Sequence, residues 1–222
     1  MTSTESPKSA LAPLPSFRNN VFVIRHGNSK ANAEHIISSN PLVATKEHGL
    51  TPLGEEQALS SANCFVGGPL GAAAKEKGVV VVSSDFCRAK ETAEILARRF
   101  MENGIEVHDG GVRLETRLRE RFFGDLDAGA DSEYNRVWTF DAQDADHTEL
   151  NVESVNSVIE RTTNVLSDLN KEFSDKLIFC AAHGDVLQIM QTAVERVDPR
   201  THRSLEHLET AAIRELVLTA KE

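Results

Sequence analysis

The chain is short of cysteine, of positive charge and of long apolar runs, and each shortage excludes a class of protein. Three cysteines, Cys64, Cys87 and Cys180, are scattered through 222 residues. Their odd number and wide spacing fit neither a disulfide framework nor a cysteine metal site, so reduced thiols and a cytoplasmic location are expected. No apolar run reaches the length of about 20 residues that spans a bilayer, and no signal-type apolar segment opens the chain, so no membrane association is expected. Lysine and arginine total 24 against 34 aspartates and glutamates, a formal net charge of −10 with a pI near 5.3. That balance speaks against nucleic acid as a partner. It leaves room for a few arginines to gather around one phosphate.

What is present is the alternation of an α/β protein. Residues 1–17, rich in Ser, Thr, Pro and Ala, read as a disordered tail, and 18–222 as a single domain. Val21 to Ile24 is an apolar run heavy in β-branched residues, the mark of a buried strand. Val79 to Val82 and Leu177 to Ala182 are two more. A helix starting at Thr51-Pro52 is predicted to run to about Phe65, Thr51 capping it and Pro52 fitting its first position. Further helices are expected after Ser84 or Asp85 as cap, over 152–173, and from Gly184 to Asp198-Pro199. A short edge strand is expected over 105–108 and a last strand near 212–218. Alternating strands and helices predict a three-layer α/β/α fold with a mainly parallel sheet. The acidic stretch 125–150 carries the apolar cluster Tyr134, Val137, Trp138 and Phe140, readable as a lid or as a satellite of the core.

The chemistry sits where the strands end. The first ends in Arg25-His26-Gly27, the second in Ser83-Ser84-Asp85 with Arg88 in the next helical turn, the third in His183-Gly184. Parallel sheets place ligands at that edge. An arginine in a first helical turn is unfavourable unless an anion compensates it. Gly27 is expected to let the backbone approach a ligand. Asn32 is either a further site residue or a turn and capping residue. Any one of these pieces could be an ordinary solvated strand end; two histidines and two arginines on one edge are harder to attribute to chance. The run Arg113 to Gly124 reads, by default, as a solvated and self-paired charged loop.

In these pieces the chain resembles the histidine phosphatase superfamily, in its phosphoglycerate mutase-like branch. The matching residues are Arg25-His26-Gly27-Asn28-Ser29 with Asn32, Leu50 to Gly54 with Gln57-Ala58, Ser84-Asp85 with Arg88-Ala89 and Thr92-Ala93, Leu118 with Glu120 and Gly124, and His183-Gly184. The resemblance implies that His26 is a nucleophile forming a phosphohistidine, and that Arg25, Asn32, Arg88, His183 and Gly184 bind the phosphoryl group. It implies Glu120 as general acid and base, with Glu115 the nearest rival. It implies no cofactor and no metal, and no histidine spacing suggests one.

Hydrolysis of a small phosphomonoester is the expected reaction. The mutase signatures are missing: no tryptophan occurs between Ile36 and His48, and the acidic insert offers only Arg136. Cofactor-dependent phosphoglycerate mutase stays as the alternative, because Arg117, Arg119 and Arg121 could serve a second anionic group. A catalytically dead phospho-ligand binder is a third reading, disfavoured by the intact His26 and Glu120.

Overall fold

The computed structural model describes residues 17–217. The disordered tail expected over 1–17 lies, apart from Phe17, outside the described residues, as does Leu218 at the end of the expected last strand. Phe17, on the boundary drawn from sequence, packs against the core.

Among the described residues, five strands form one sheet in the order β3-β2-β4-β1-β5. They are β1 (Asn20–Arg25), β2 (Val79–Ser83), β3 (Val107–Leu114), β4 (Leu177–Ala182) and β5 (Ile213–Leu216). The first four are mutually parallel, and β5 runs antiparallel on β1. Among the described residues eight α-helices accompany them: two short ones, α1 (Lys30–Ala33) and α2 (Pro41–Ala44), then α3 (Pro52–Gly67), α4 (Pro69–Lys77), α5 (Cys87–Glu102), α6 (Tyr134–Asp141), α7 (Val155–Glu172) and α8 (Gly184–Glu195).

The continuous apolar runs are explained by burial on both faces. Val21, Val23, Val80, Val82, Ile178 and Cys180 face α7 and α8. Their neighbours Phe22, Ile24, Val79, Val81 and Phe179 face α3, α4 and α5. Side chains alternate across a strand, so a sheet between two helical layers needs every position apolar. Cys180 is one of these buried hydrophobes, whereas Cys64 is exposed.

Registers level the strand ends. Arg25 pairs with Ala182 and Ser83 with Ala181. The ladder continues one residue further, with His26 N–H donating to Ala182 O at 3.0 Å and Ser84 N–H to Ala181 O at 2.9 Å. His26, Ser84 and His183 therefore emerge side by side.

Three local expectations are corrected. The edge strand runs over Val107–Leu114 rather than four residues, because it pairs along β2 as far as Ser83. The N-cap of α5 is Phe86. Ser84 is occupied with His183 and Phe86 N–H, and Asp85 with Arg119, so neither caps that helix. Gly27 does serve a close approach, but to the protein itself. A Cβ there would lie 2.4 Å from Gly54 O on α3. Neither backbone can yield cheaply, so Gly27→Ala is expected to cost on the order of 2 kcal/mol or more in urea unfolding.

Candidate active site

A pocket of about 240 Å³ opens at the carboxyl edge of the sheet. Arg25, His26, Asn32, Arg88, Glu120 and Gly184 all line it. His183 stands behind them, its ring centroid 5.2 Å from that of His26.

Both histidines are buried and held as neutral rings. His26 Nδ1 lies 2.8 Å from Gly27 O. A carbonyl only accepts, so Nδ1 carries the proton and Nε2 carries the lone pair. Burial, then Arg88 and Arg25, push the His26 pKa well below the imidazole range. Burial and Arg88 do the same to His183. His183 Nε2 meets Ser84 Oγ at 2.9 Å, and its Nδ1 is buried without a partner.

The arginines approach from two sides. Arg88 is buried; its Nε donates to His26 Nε2 at 3.2 Å and its Nη2 to Ser38 O at 2.9 Å. Arg25 donates from Nη1 to His207 Nε2 at 2.6 Å and to Leu208 O at 3.2 Å, while its Nε is buried and unpartnered. Asn32 is a capping residue and also stands in the pocket wall. Its Oδ1 accepts from Ser29 N–H at 3.0 Å in a capping box on α1. Gly184 opens α8 with a Cβ position 3.2 Å from Arg25 Nε, so a side chain there would crowd the guanidinium.

Two carboxylates are told apart by their surroundings. Glu115 is gripped by Arg117 from the backbone and the guanidinium, which holds its pKa low. Glu120 lines the pocket and accepts from Arg121 N–H at 2.9 Å. Burial, then the nearby Asp185, push its pKa up to about 7.

The charged loop is partly what its composition suggests. Arg117 pairs with Glu115 and Asp168, and Arg119 forks onto Asp85 at 2.7 and 2.6 Å. Arg121 departs from it completely. It is fully buried and grips Asp141 with two bonds of 2.7 Å. Asp141 also meets His147 at 2.6 Å and His202 at 3.1 Å. None of these three arginines lines the pocket, which corrects their assignment to a second anionic group.

The Asp141 knot ties α6 to the rest. Val137 of α6 joins Ile37, Phe123 and Val152 in a small core of its own, while Tyr134 and Trp138 face the pocket. The insert is thus a satellite cluster and a wall of the site at once. Its partners hold the Asp141 carboxyl far below the usual range, against the effect of burial. A depressed pKa gives stability that is present above about pH 4 and lost as the pH falls below it. Asp141→Asn removes the charge that two of Arg121's bonds meet and leaves Asp185, at 3.3 Å, as the carboxylate on it, so a loss of about 3 kcal/mol is expected. Urea unfolding at pH 7 and pH 3 checks it: the variant is less stable at pH 7 and loses less than the native chain on acidification.

Sequence reasoning missed Ser38, Asp185, Arg203 and His207, which also line the pocket, and left the role of Trp138 open. Asp185 was the best signposted of them, standing directly after His183-Gly184. It accepts from Trp138 Nε1 at 3.0 Å and from Arg121 Nη1 at 3.3 Å. Arg203 and His207 sit beyond α8 in a stretch with no periodicity. Among the described residues no group of three or more His, Cys, Asp and Glu side chains is placed to hold a metal ion, and no helix is long and apolar enough to cross a membrane.

The sequence profile of the histidine phosphatase superfamily (branch 1) matches residues 21–222. The chain belongs to that superfamily. Among its relatives is a glucosyl-3-phosphoglycerate phosphatase of Mycolicibacterium vanbaalenii, 27% identical over 189 residues, which cover 78% of this chain and 73% of that one. A probable phosphoglycerate mutase GpmB of Escherichia fergusonii is 33% identical over 108 residues, only 48% of this chain and 40% of that protein. The mycobacterial glucosyl-3-phosphoglycerate phosphatase solved with VO3 shares the fold, with a TM-score of 0.68 at 22% identity over 88% of this chain and 89% of that one.

Proposed function

We propose that this histidine phosphatase hydrolyses a small phosphomonoester through a phosphohistidine on His26. The observation that carries the reading is the pairing in one pocket of a neutral His26, its Nε2 lone pair fixed by the Nδ1–Gly27 bond, with a Glu120 that holds a proton up to about pH 7. A nucleophile and a proton donor need those opposite states at the same pH.

In the first step His26 Nε2 attacks phosphorus and the ester P–O bond breaks. The leaving oxygen takes its pair of electrons and the Glu120 proton. Arg88 Nε–H, now on His26 Nε2, turns to a phosphoryl oxygen as the lone pair turns to phosphorus. Arg25 Nε, Asn32, His183 and the Gly184 backbone supply the other contacts. Charge stabilisation of this kind is most of what phosphoryl transfer requires. In the second step Glu120 takes a proton from water, the water oxygen attacks phosphorus, and the P–N bond breaks with its electrons returning to Nε2. The products are the alcohol and inorganic phosphate.

Hydrolysis is favoured over interconversion because Arg117, Arg119 and Arg121 are turned to carboxylates away from the pocket. The phosphatase relative covers most of both chains and the mutase relative less than half. The family match over 21–222 supports treating 18–222 as one catalytic domain. Three free thiols suit a reducing, cytoplasmic setting. The test is phosphate release across small phosphomonoesters, with and without bisphosphoglycerate. Release without priming is expected; primed interconversion of phosphoglycerates with little release would transfer the assignment to a mutase.

A further inference from the structure

Glu120 is ringed by cations that bond to something else. Among the described residues its carboxyl has one hydrogen bond, from Arg121 N–H at 2.9 Å, and no ion pair. Arg25 of β1, Arg88 of α5 and Arg161 of α7 lie near enough to act on its charge. Each guanidinium is turned to other partners. Arg25 donates to His207 and Leu208 O, and Arg88 to His26 and Ser38. Arg161 donates to Glu153 and to the carbonyls of Arg117 and Arg119. Tyr134 of α6 brings a phenol rather than a charge, because burial pushes its pKa up.

Asp185 enters from α8 with the opposite sign. It lines the pocket with Glu120 and is itself buried. Trp138 Nε1–H donates to its Oδ1 at 3.0 Å and Arg121 Nη1 to its Oδ2 at 3.3 Å. Both partners are donors, so Asp185 meets them as an acceptor-only carboxylate. Neither cancels its charge. An indole N–H carries none, and Arg121 is committed to Asp141 through two shorter bonds of 2.7 Å. His202 and Arg203, on the 3-10 turn Pro199–Ser204, come no closer to it than 3.9 Å.

We propose that Asp185 is a positioning residue for the first proton transfer: pinned to the α6 wall through Trp138, it presents a fixed negative charge that keeps the proton on Glu120 until the leaving oxygen takes it. On the phosphatase reading above, on which this proposal rests, Asp185 prepares the acid without touching the reacting atoms. A carboxyl releases its proton less readily beside a carboxylate, because ionisation would place two like charges in one buried pocket. The raised pKa of Glu120 agrees, with burial as its first cause and Asp185 as its second. The insert thereby reaches the chemistry at one remove: its Trp138 fixes Asp185, and its Asp141 occupies the guanidinium that would otherwise neutralise Asp185.

Asp185→Asn removes the charge and keeps an oxygen for Trp138. Two measurements read it. In the first, kcat/KM for an alkyl ester, glycerol 3-phosphate, is followed against pH. The limb that falls as the pH rises through 7 is expected to move to lower pH by about half a unit or more, because weaker repulsion lets Glu120 ionise sooner. The ester ionises alike with both proteins, so the displacement belongs to the site. Single-turnover release of p-nitrophenolate from its phosphate ester above pH 7 needs no proton from Glu120, and is expected to stay within about threefold of the native rate. Asp185→Glu restores the charge and is expected to return the limb most of the way. In the second measurement, 13C NMR of carboxyl-labelled glutamate titrates Glu120 directly, its signal assigned by its loss in Glu120→Gln. The midpoint is expected to fall in Asp185→Asn and to recover in Asp185→Glu. Asp185→Ser, neutral and smaller, makes the same removal of charge without an amide beside Arg121, and keeps the test open where the asparagine disturbs folding. A limb or a midpoint that stays in place once the charge is gone would overturn the proposal, and so would an equal loss on both esters at every pH. Absence of phosphate release from every ester would instead refute the phosphatase reading, and the NMR midpoint would still decide the role of Asp185.

Discussion

His26→Ala is expected to lower phosphate release by about 10⁴-fold or more, the scale on which removing a covalent nucleophile acts. The substitution should leave folding nearly intact. His26 sits at the end of β1, and its backbone N–H, not its ring, extends the sheet. Its ring bonds, to Gly27 O and Arg88 Nε, lie at the site. Binding should survive better than turnover, because Arg25, Arg88 and His183 remain. The measurement is single-turnover phosphate release beside calorimetric binding of inorganic phosphate. A variant that binds phosphate within about tenfold of the native chain, yet fails to turn over, separates a lost nucleophile from a collapsed pocket.

Glu120→Gln should act selectively. An alkyl ester leaves as an alkoxide unless a proton accompanies it, so a loss of about 10²–10⁴-fold is expected on such esters. p-Nitrophenyl phosphate needs no proton on its leaving group, so its first step should be spared. Its second step still lacks the base that activates water. A burst of one nitrophenolate per site, followed by slow turnover, is therefore the expected trace. The pH dependence has a definite sign. Glu120 must be protonated for the first step, and its pKa stands at about 7. For alkyl esters kcat/KM should fall as the pH rises through 7, and that limb should vanish in Glu120→Gln. His26 adds no limb there, because its pKa is held well below that range. A limb that persists in the variant would place the titrating group elsewhere, and Glu115, paired with Arg117 and away from the pocket, would have to be reconsidered.

The parts of this molecule that could be read from sequence are those where burial forces composition. β1, β2 and β4 are flanked by helices on both faces, so their residues are apolar without interruption, and runs such as Val79 to Val82 announce them. The residues that follow those strands were legible for the same reason: a parallel sheet aligns its strand ends, and the registers here bring His26, Ser84 and His183 level. Arg203, His207 and Ser38 carried no such mark. Their contacts are long-range, His207 reaching Arg25 across 182 positions and Ser38 reaching Arg88 across 50. Nothing local to residues 199–208 distinguishes a pocket wall from a surface turn.

Arg121 shows the limit from the other side. In a run that reads Arg-Leu-Arg-Glu-Arg, two arginines are half-buried and the third is among the largest fully buried side chains. Charge density alone points to solvent. What reverses it is Asp141, 20 residues on, which becomes a partner only once α6 folds over the pocket. The same fold turns Trp138 toward Asp185 and Arg203, so the insert's contribution to the site depends on a buried ion pair that composition would place outside.

The central claim is that phosphorus passes through His26 Nε2. The direct measurement is rapid mixing with an ester labelled in its phosphoryl group, an alkaline quench that preserves phosphoramidates, and peptide mapping of the label. The account predicts label on the peptide containing His26, lost on brief acid treatment, absent in His26→Ala, and accumulating in Glu120→Gln when p-nitrophenyl phosphate is the donor. Steady phosphate release with no label on His26 at any time would contradict it, and would assign the attack on phosphorus to water.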